Sequence, residues 1–502
     1  MSPDARIPPE VLERIALRAF LLWLGFHLLA AVIAVPLLLF VSRELVYQGR
    51  FSLPSFLALG VAILVITMVR PRRDTKNPPL PVMTPSDQPR LFEKVHEVAS
   101  LAGRPLPAHM HLISDFKLLD VPDGFLGLNG KRRMGIGLPF FVLEVSELCA
   151  VIAHEYGHYH TSSWLIRWLY TARFSIVHTL SSLEKHPAPW TLGPYKYYAR
   201  TFLRLTHNAA RQIEYDADAF AVAVVGAPAL VSAMQKIEAC TPLERMQRAT
   251  LINPALAMGY RVPLLEGLYM AASDPDMRRA GDDYIQRLMA TVAPEHLFQP
   301  HPSMRDRIRA IESLEQEPAM APDSRPASVL LDDIPQLEAD LYAITMPHPE
   351  RLPRIGWDEV GSKVIIAKWT RTREMNHAVL QGWNVERVPE FVQLMLSRPA
   401  NVKSHDHKPL PPEQLRATIF EMVSSCLALL LVDKGWVVIA SPVEGINLER
   451  PDGTKPEIDL ATFSFQNEGE AELWRRGCDE AGITRMPLLG RARAVSGETT
   501  SA

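Results

Sequence analysis

The sequence predicts a mainly α protein of the α+β kind. It has an N-terminal helical hairpin of membrane-spanning length, a helical domain with a small β-sheet, and a C-terminal α/β or α+β domain. Three observations carry this expectation. Two long apolar runs stand near the N-terminus, at 19–41 and 53–69. Between residues 91 and 316, helix-patterned stretches outweigh two short alternating ones. A proline-containing break at 315–327 (EQEPAMAPDSRPA) then precedes a stretch of mixed helix-like and strand-like pattern. The 502 residues are 47% hydrophobic and 22% charged with a net charge of −3, an ordinary globular balance. No basic stripe with interleaved aromatics occurs, which argues against a nucleic-acid partner. Cys149, Cys240, Cys426 and Cys478 form no CxxC pair, so a reduced, cytosol-facing protein is expected.

Residues 19–41 read AFLLWLGFHLLAAVIAVPLLLFV, 23 residues without a formal charge. A bilayer core takes about 20. The run is too long for a signal-peptide core, and no small-residue cleavage site follows it. The 17 residues of 53–69 sit at the lower limit for a span and read as the return half of a hairpin. Arg6, Arg14 and Arg18 precede the first run, and Arg70, Arg72, Arg73 and Lys76 follow the second. Only Arg43 and Arg50 are basic in the loop between them. Basic residues favour the cytoplasmic side, so both ends of the hairpin, and the rest of the chain with them, are expected there. The expected anchor is 1–78.

Residues 74–90 (DTKNPPLPVMTPSDQPR) read as a stiff linker. A helix is expected from Leu91 to Ala102, and strands at His109–Ile113 and Arg133–Leu138 with a turn-rich segment between them. A further helix follows from Glu147 to about His160, with Ser146 as its candidate cap.

That helix carries VIAHEYGHYH, in which His154, Glu155 and His158 form HExxH. Residues i and i+4 share one helix face, so both imidazoles can reach one metal ion. Glu155 is then placed to act as general base on water. A solvated charged face with incidental histidines suits the segment poorly, because Cys149, Val151, Ile152 and Ala153 make the helix largely apolar. A catalytic zinc takes three protein ligands and leaves one position open. The candidate third ligand is Glu214, in NAARQIEYDADAFA at 208–221. Asp218 is one turn further on the same face, placed to accept a hydrogen bond from a liganding histidine. Arg211 shares that face and is a candidate donor to a developing oxyanion. Taken alone, this Arg/Glu/Asp face would read as a surface salt-bridge network.

HEYGH, RQIEYDAD and HPSMRDRI (301–308), in that order after a membrane hairpin, resemble the successive motifs of metallopeptidase family 48. That family includes HtpX-type membrane heat-shock proteases and CAAX prenyl-protease-type enzymes. The resemblance covers roughly residues 17–315. It implies a zincin-like metallopeptidase domain over 79–316 and one zinc per chain, with His154, His158 and Glu214 as ligands. Glu155 would be the base, Asp218 would orient a ligand, and His301 would lie near the site, as a catalytic donor to the oxyanion or as part of a local network. The implied activity is cleavage of membrane or membrane-proximal polypeptides at the cytoplasmic face of an inner or plasma membrane, in protein quality control. The competing reading is a catalytically silent membrane scaffold that retains the fold.

Two departures stand out. VPDGFLGLNG lacks the Asn-Ala pair usual before the HExxH helix. And where a second pair of spans is usual, 163–183 contains Arg167 and Arg173, with a polar stripe at Arg167, Thr171, Ser175, His178 and Ser182. An amphipathic helix is expected, at the membrane interface or covering the site, with a third span as the alternative. The strand at 133–138 is expected to bind substrate as an added strand.

A C-terminal domain is expected over 326–490, with strands at Lys363–Lys368 and Trp436–Ala440 and helices at Pro412–Val432 and Gly469–Gly482. The helix at 412–432 is expected in a core, not in a membrane. Cys426 and Cys478 read as packing residues, His405 and His407 as part of a polar loop, and 491–502 as a tail.

Overall fold

The computed structural model describes residues 7–69, 80–107, 109–122, 132–160, 163–185, 189–291, 302–346, 348–398, 411–450, 452–454 and 468–490. His301, the 123–131 turn segment, His405, His407 and the 491–502 tail lie outside them. The chain forms two compact units: Met1–Thr241 with Arg278–Thr345, and Pro242–Met277 with Met346–Ala502.

The first unit begins with α1 (Pro9–Gln48) and α2 (Leu53–Val69). Gly49 adopts φ +59° at the end of α1, a backbone that favours glycine, and reverses the chain. Glu44 holds the turn by accepting hydrogen bonds from the Ser52 and Ser55 hydroxyls, each at 2.5 Å. Leu21, Leu28, Leu29 and Val32 of α1 are exposed, whereas its small residues Ala16, Ala19, Ala30 and Ala34 are buried. Small residues on one face let neighbouring helices approach closely. By length and composition α1 can cross a membrane; α2 is apolar but shorter.

A four-stranded sheet follows, in the order β1 (Val82–Met83), β2 (Met110–Ile113), β4 (Arg132–Gly137), β3 (Leu118–Pro122). The β2–β4 pair is parallel; the other two are antiparallel. The sequence reading missed β3, and its substrate strand needs correction. β4 is flanked on both sides, so its main-chain groups already pair with β2 and β3. Among the described residues, β3 pairs with β4 alone.

The helix α3 (Pro89–Leu101) and then α4 (Val145–His160) follow, with α3 burying Leu91, Phe92, Val95 and Val98. Ser146 is not the cap of α4. It lies inside the helix, and its Oγ accepts from the Asp323 amide at 2.7 Å. The Glu147 carboxylate instead reaches back to the Glu144 amide at 2.8 Å, which is half of a capping box. α5 (Trp164–Lys185), α6 (Pro189–Val225) and α7 (Ala227–Gln247) complete the frame. Ile166, Leu169, Ile176 and Leu183 of α5 pack with Leu12 and Ala16 of α1 and with Tyr198 and Phe202 of α6. Part of the proline-containing break at 315–327, expected to be a domain linker, runs along this unit. Ala319 and Met320 donate to the Ala223 and Val224 carbonyls, and Val145 donates to Arg325.

In the second unit, β5 (Val437–Ser441) and β6 (Gly445–Glu449) form an antiparallel hairpin. The strand expected at Lys363–Lys368 is helical: a π-turn at Gly361–Ile365 continues into a helix at Ile366–Met375. The reason is periodicity, since Trp357, Val360, Val364 and Ile365 are buried at helical spacing. Gly361 lets this helix touch β5, because a Cβ there would meet the Val438 carbonyl oxygen at 2.2 Å. The helix Pro412–Asp433 buries Ile419, Val423, Cys426 and Leu430 with Trp474 and Cys478 in one core. It has the length and hydropathy of a span, but 61% of its apolar window is buried, against 17% for α1. That burial fits a core helix.

Candidate metal centre

The centre forms where α4 crosses α6. Gly157 makes the crossing close, since a Cβ there would lie 2.7 Å from the Ala217 Cα and 2.9 Å from its carbonyl oxygen. At this separation His154 and His158, one turn apart on α4, face Glu214 on α6. His154 Nε2 lies 3.6 Å from Glu214 Oε2, and His158 Nε2 lies 3.9 Å from Glu214 Oε1. One ligand atom from each residue falls within 4.8 Å of the other two. Atoms bound to one zinc at about 2.0–2.2 Å need a comparable spacing, so the three residues fit the ion.

The far nitrogen of His154 is committed elsewhere. Its Nδ1 stands 2.9 Å from Asp218 Oδ1, which leaves Nε2 for a metal. Asp218 is almost fully buried, and Arg307 grips it through Nε–Oδ2 at 2.8 Å and Nη2–Oδ1 at 2.6 Å. Burial alone would raise the Asp218 pKa, but Arg307 and His154 outweigh it and hold it down at about 2. Burial disfavours the charged form of His154 too. Hydrogen bonds to Asp218 and Glu214 overcome this and raise it to about 9 in the metal-free protein. His158 is buried, and its ring stacks on Tyr170 of α5, with centroids 4.3 Å apart at 25°. Glu155 follows His154 on α4 and is partly exposed.

The fold thus gathers His154, His158, Glu214 and Asp218. Arg211 is on α6 as expected; its Nη2 lies 3.4 Å from Asp306 Oδ2 and 3.5 Å from the Tyr215 hydroxyl. His301 lies outside the described residues, just before the helix Met304–Glu312. Ser303 caps that helix by accepting from the Asp306 amide. Sequence reasoning missed Arg307 and Tyr170. A signal for Arg307 existed. Arg307 stands one turn before the buried Ile311, on the side of the helix that faces the protein. Nothing local marks Tyr170.

Residues 85–315 match the family model of peptidase family M48. No curated protein and no solved structure matches the chain.

Proposed function

Because residues 85–315 match the family model of peptidase family M48, we propose that this protein is a membrane-anchored zinc endopeptidase acting on membrane or membrane-proximal polypeptides, in protein quality control. The observation that carries the reading is the convergence of His154, His158 and Glu214, with the Nδ1 of His154 engaged by Asp218. Bound there, zinc supplies Lewis acidity that acidifies water and polarises a carbonyl. Glu155, beside the first ligand, takes the proton of the attacking water and returns it to the leaving amine. Asp218 keeps His154 in one tautomer and aim, and Arg307 keeps Asp218 ionised. Tyr170 supports the His158 ring. The edge of β3 offers main-chain groups to an extended peptide, which makes selection weakly dependent on sequence.

The apolar, outward-facing α1 supports anchoring. The arginines flanking 19–41 and 53–69 support a cytoplasmic catalytic side. The test is casein cleavage by detergent-purified wild type and Glu155→Gln. We expect chelator-sensitive cleavage by the wild type, and a variant that keeps zinc and loses cleavage. Cleavage retained in Glu155→Gln would refute the assignment of the base.

A further inference from the structure

Arg173 of α5 is 4% exposed, whereas Arg167 on the same helix is partly exposed. The Arg173 Nη1 donates to the Leu203 carbonyl of α6 at 3.1 Å and to the Thr206 hydroxyl. Its Nε and Nη2 have no hydrogen-bond partner among the described residues, and no carboxylate of those residues is in contact with it. Arginine does not lose its proton in proteins, and a buried charge without a contact partner is costly. The mechanism above makes no use of this charge.

The metal centre lies beside it. Arg173 stands three residues after Tyr170 on the same side of α5, and the Tyr170 ring stacks on His158. On α6, Leu203, Thr206, Ala210 and Glu214 follow one another at spacings of three and four, so they form one stripe along the helix. The guanidinium is held at the Leu203 and Thr206 end of that stripe. Glu214 stands at the other end, and Ala210 between them has only a methyl side chain. Helical side chains lean toward the N-terminus, which brings the Glu214 carboxylate back toward Arg173. Burial disfavours the Arg173 charge, and the charged group that supports it is Glu214.

We propose that Arg173 is a positioning residue of the metal centre that acts through Glu214 and touches neither metal nor substrate. Its charge draws on the Glu214 carboxylate, loosens that ligand's hold on zinc and leaves a stronger Lewis acid at the site. The two buried arginines near the centre differ in this respect. Arg307 is matched by Asp218, so most of its charge is cancelled locally. Arg173 has no such match, and its field reaches Glu214 across protein, where water and salt screen it weakly. A carboxylate that gives less of its charge to the ion leaves more for polarising a carbonyl and acidifying water.

The inference rests on the zinc reading, and one experiment separates the two. The full chain, purified in detergent and stripped with a chelator, is titrated with zinc against a chromogenic chelator at neutral pH, in low and in high salt. Casein cleavage is then read on the zinc-saturated samples. Arg173→Met removes the charge and keeps the bulk, Arg173→Gln removes the charge and keeps a donor, and Arg167→Gln is the control. We expect both Arg173 variants to bind zinc about tenfold more tightly than the wild type, on the order of one charge acting on a divalent ion across a turn or two of helix. Salt should change that ratio little, and cleavage should fall about tenfold. Arg167→Gln should match the wild type in both readings. A role in packing alone would loosen zinc, not tighten it. If Arg173→Met does not fold, Arg173→Gln decides. Zinc affinity that is unchanged or weaker without the Arg173 charge, or tighter zinc with undiminished cleavage, overturns the role of Arg173 and leaves the zinc site standing. A wild type that binds no zinc overturns the zinc reading and this inference with it.

Discussion

Arg307 binds Asp218 through two hydrogen bonds, 2.8 and 2.6 Å long, and so ties the helix after the HPS segment to the helix that supplies Glu214. Asp218 is nearly fully buried, and a carboxylate there keeps its charge only if something pairs with it. Its other contact is His154, a metal ligand in this account. Arg307 therefore acts on the metal at one remove, as a positioning residue.

Loss of that pair should weaken metal binding. Arg307→Met is expected to cost about tenfold in zinc affinity, the lower end of what losing an outer partner of a liganding histidine costs, because Arg307 acts on His154 through Asp218. Arg307→Lys should recover only part of this, because an ammonium cannot grip both oxygens. Zinc titration against a chromogenic chelator reads both variants. Unchanged affinity in Arg307→Met would show that Asp218 needs no counter-charge.

Gly157→Ala should also be damaging, although alanine is the better helix former. The new Cβ meets the backbone of Ala217, which cannot turn aside as a flexible side chain would. Overpacking of this kind costs about 1–3 kcal/mol, and it separates His158 from Glu214. Because the clash is with the Ala217 Cα and carbonyl oxygen, adding Ala217→Gly should not restore thermal stability or cleavage. Rescue by that second change would place the conflict at the Ala217 side chain instead.

The ionisations at the centre set a pH dependence. In the metal-free protein, burial opposes the charge on His154, but Asp218 and Glu214 raise its pKa from 6.5 to about 9. The resulting stability is complete below about pH 6.5 and is lost as pH rises through 9. Asp218 is lowered from 3.8 to about 2, so its contribution is present above about pH 3.8 and is lost as pH falls through 2. Chelator-treated protein should thus lose thermal stability between pH 6.5 and 9. Zinc needs His154 without its second proton, so zinc should bind more tightly at pH 8 than at pH 6. Equal zinc affinity at both values would contradict the coupling of His154 to Asp218.

Much of this centre was legible in the sequence, because its chemistry is written in helical spacing. His154 and His158, and likewise Glu214 and Asp218, are i and i+4 pairs, and small residues such as Ala210 and Ala217 announce close helix packing. Contacts between distant segments were harder to read. Tyr170 reaches His158 only because α5 folds back over α4, and no local pattern in α5 encodes that. KVIIAK was misread because a short apolar run suits a strand or a helix equally. The wider window, with Trp357 and Val360 at helical spacing, resolves it. β3 was missed because Asp120 breaks a short run and its partner β4 lies beyond a turn-rich segment.

The central claim is that His154, His158 and Glu214 together hold one zinc. Metal content of purified wild type and Glu214→Ala, each dialysed against a weak chelator, tests it most directly. The account predicts one zinc per chain in the wild type and less than about a tenth of that in the variant. Equal zinc in both proteins, or none in the wild type, would contradict it.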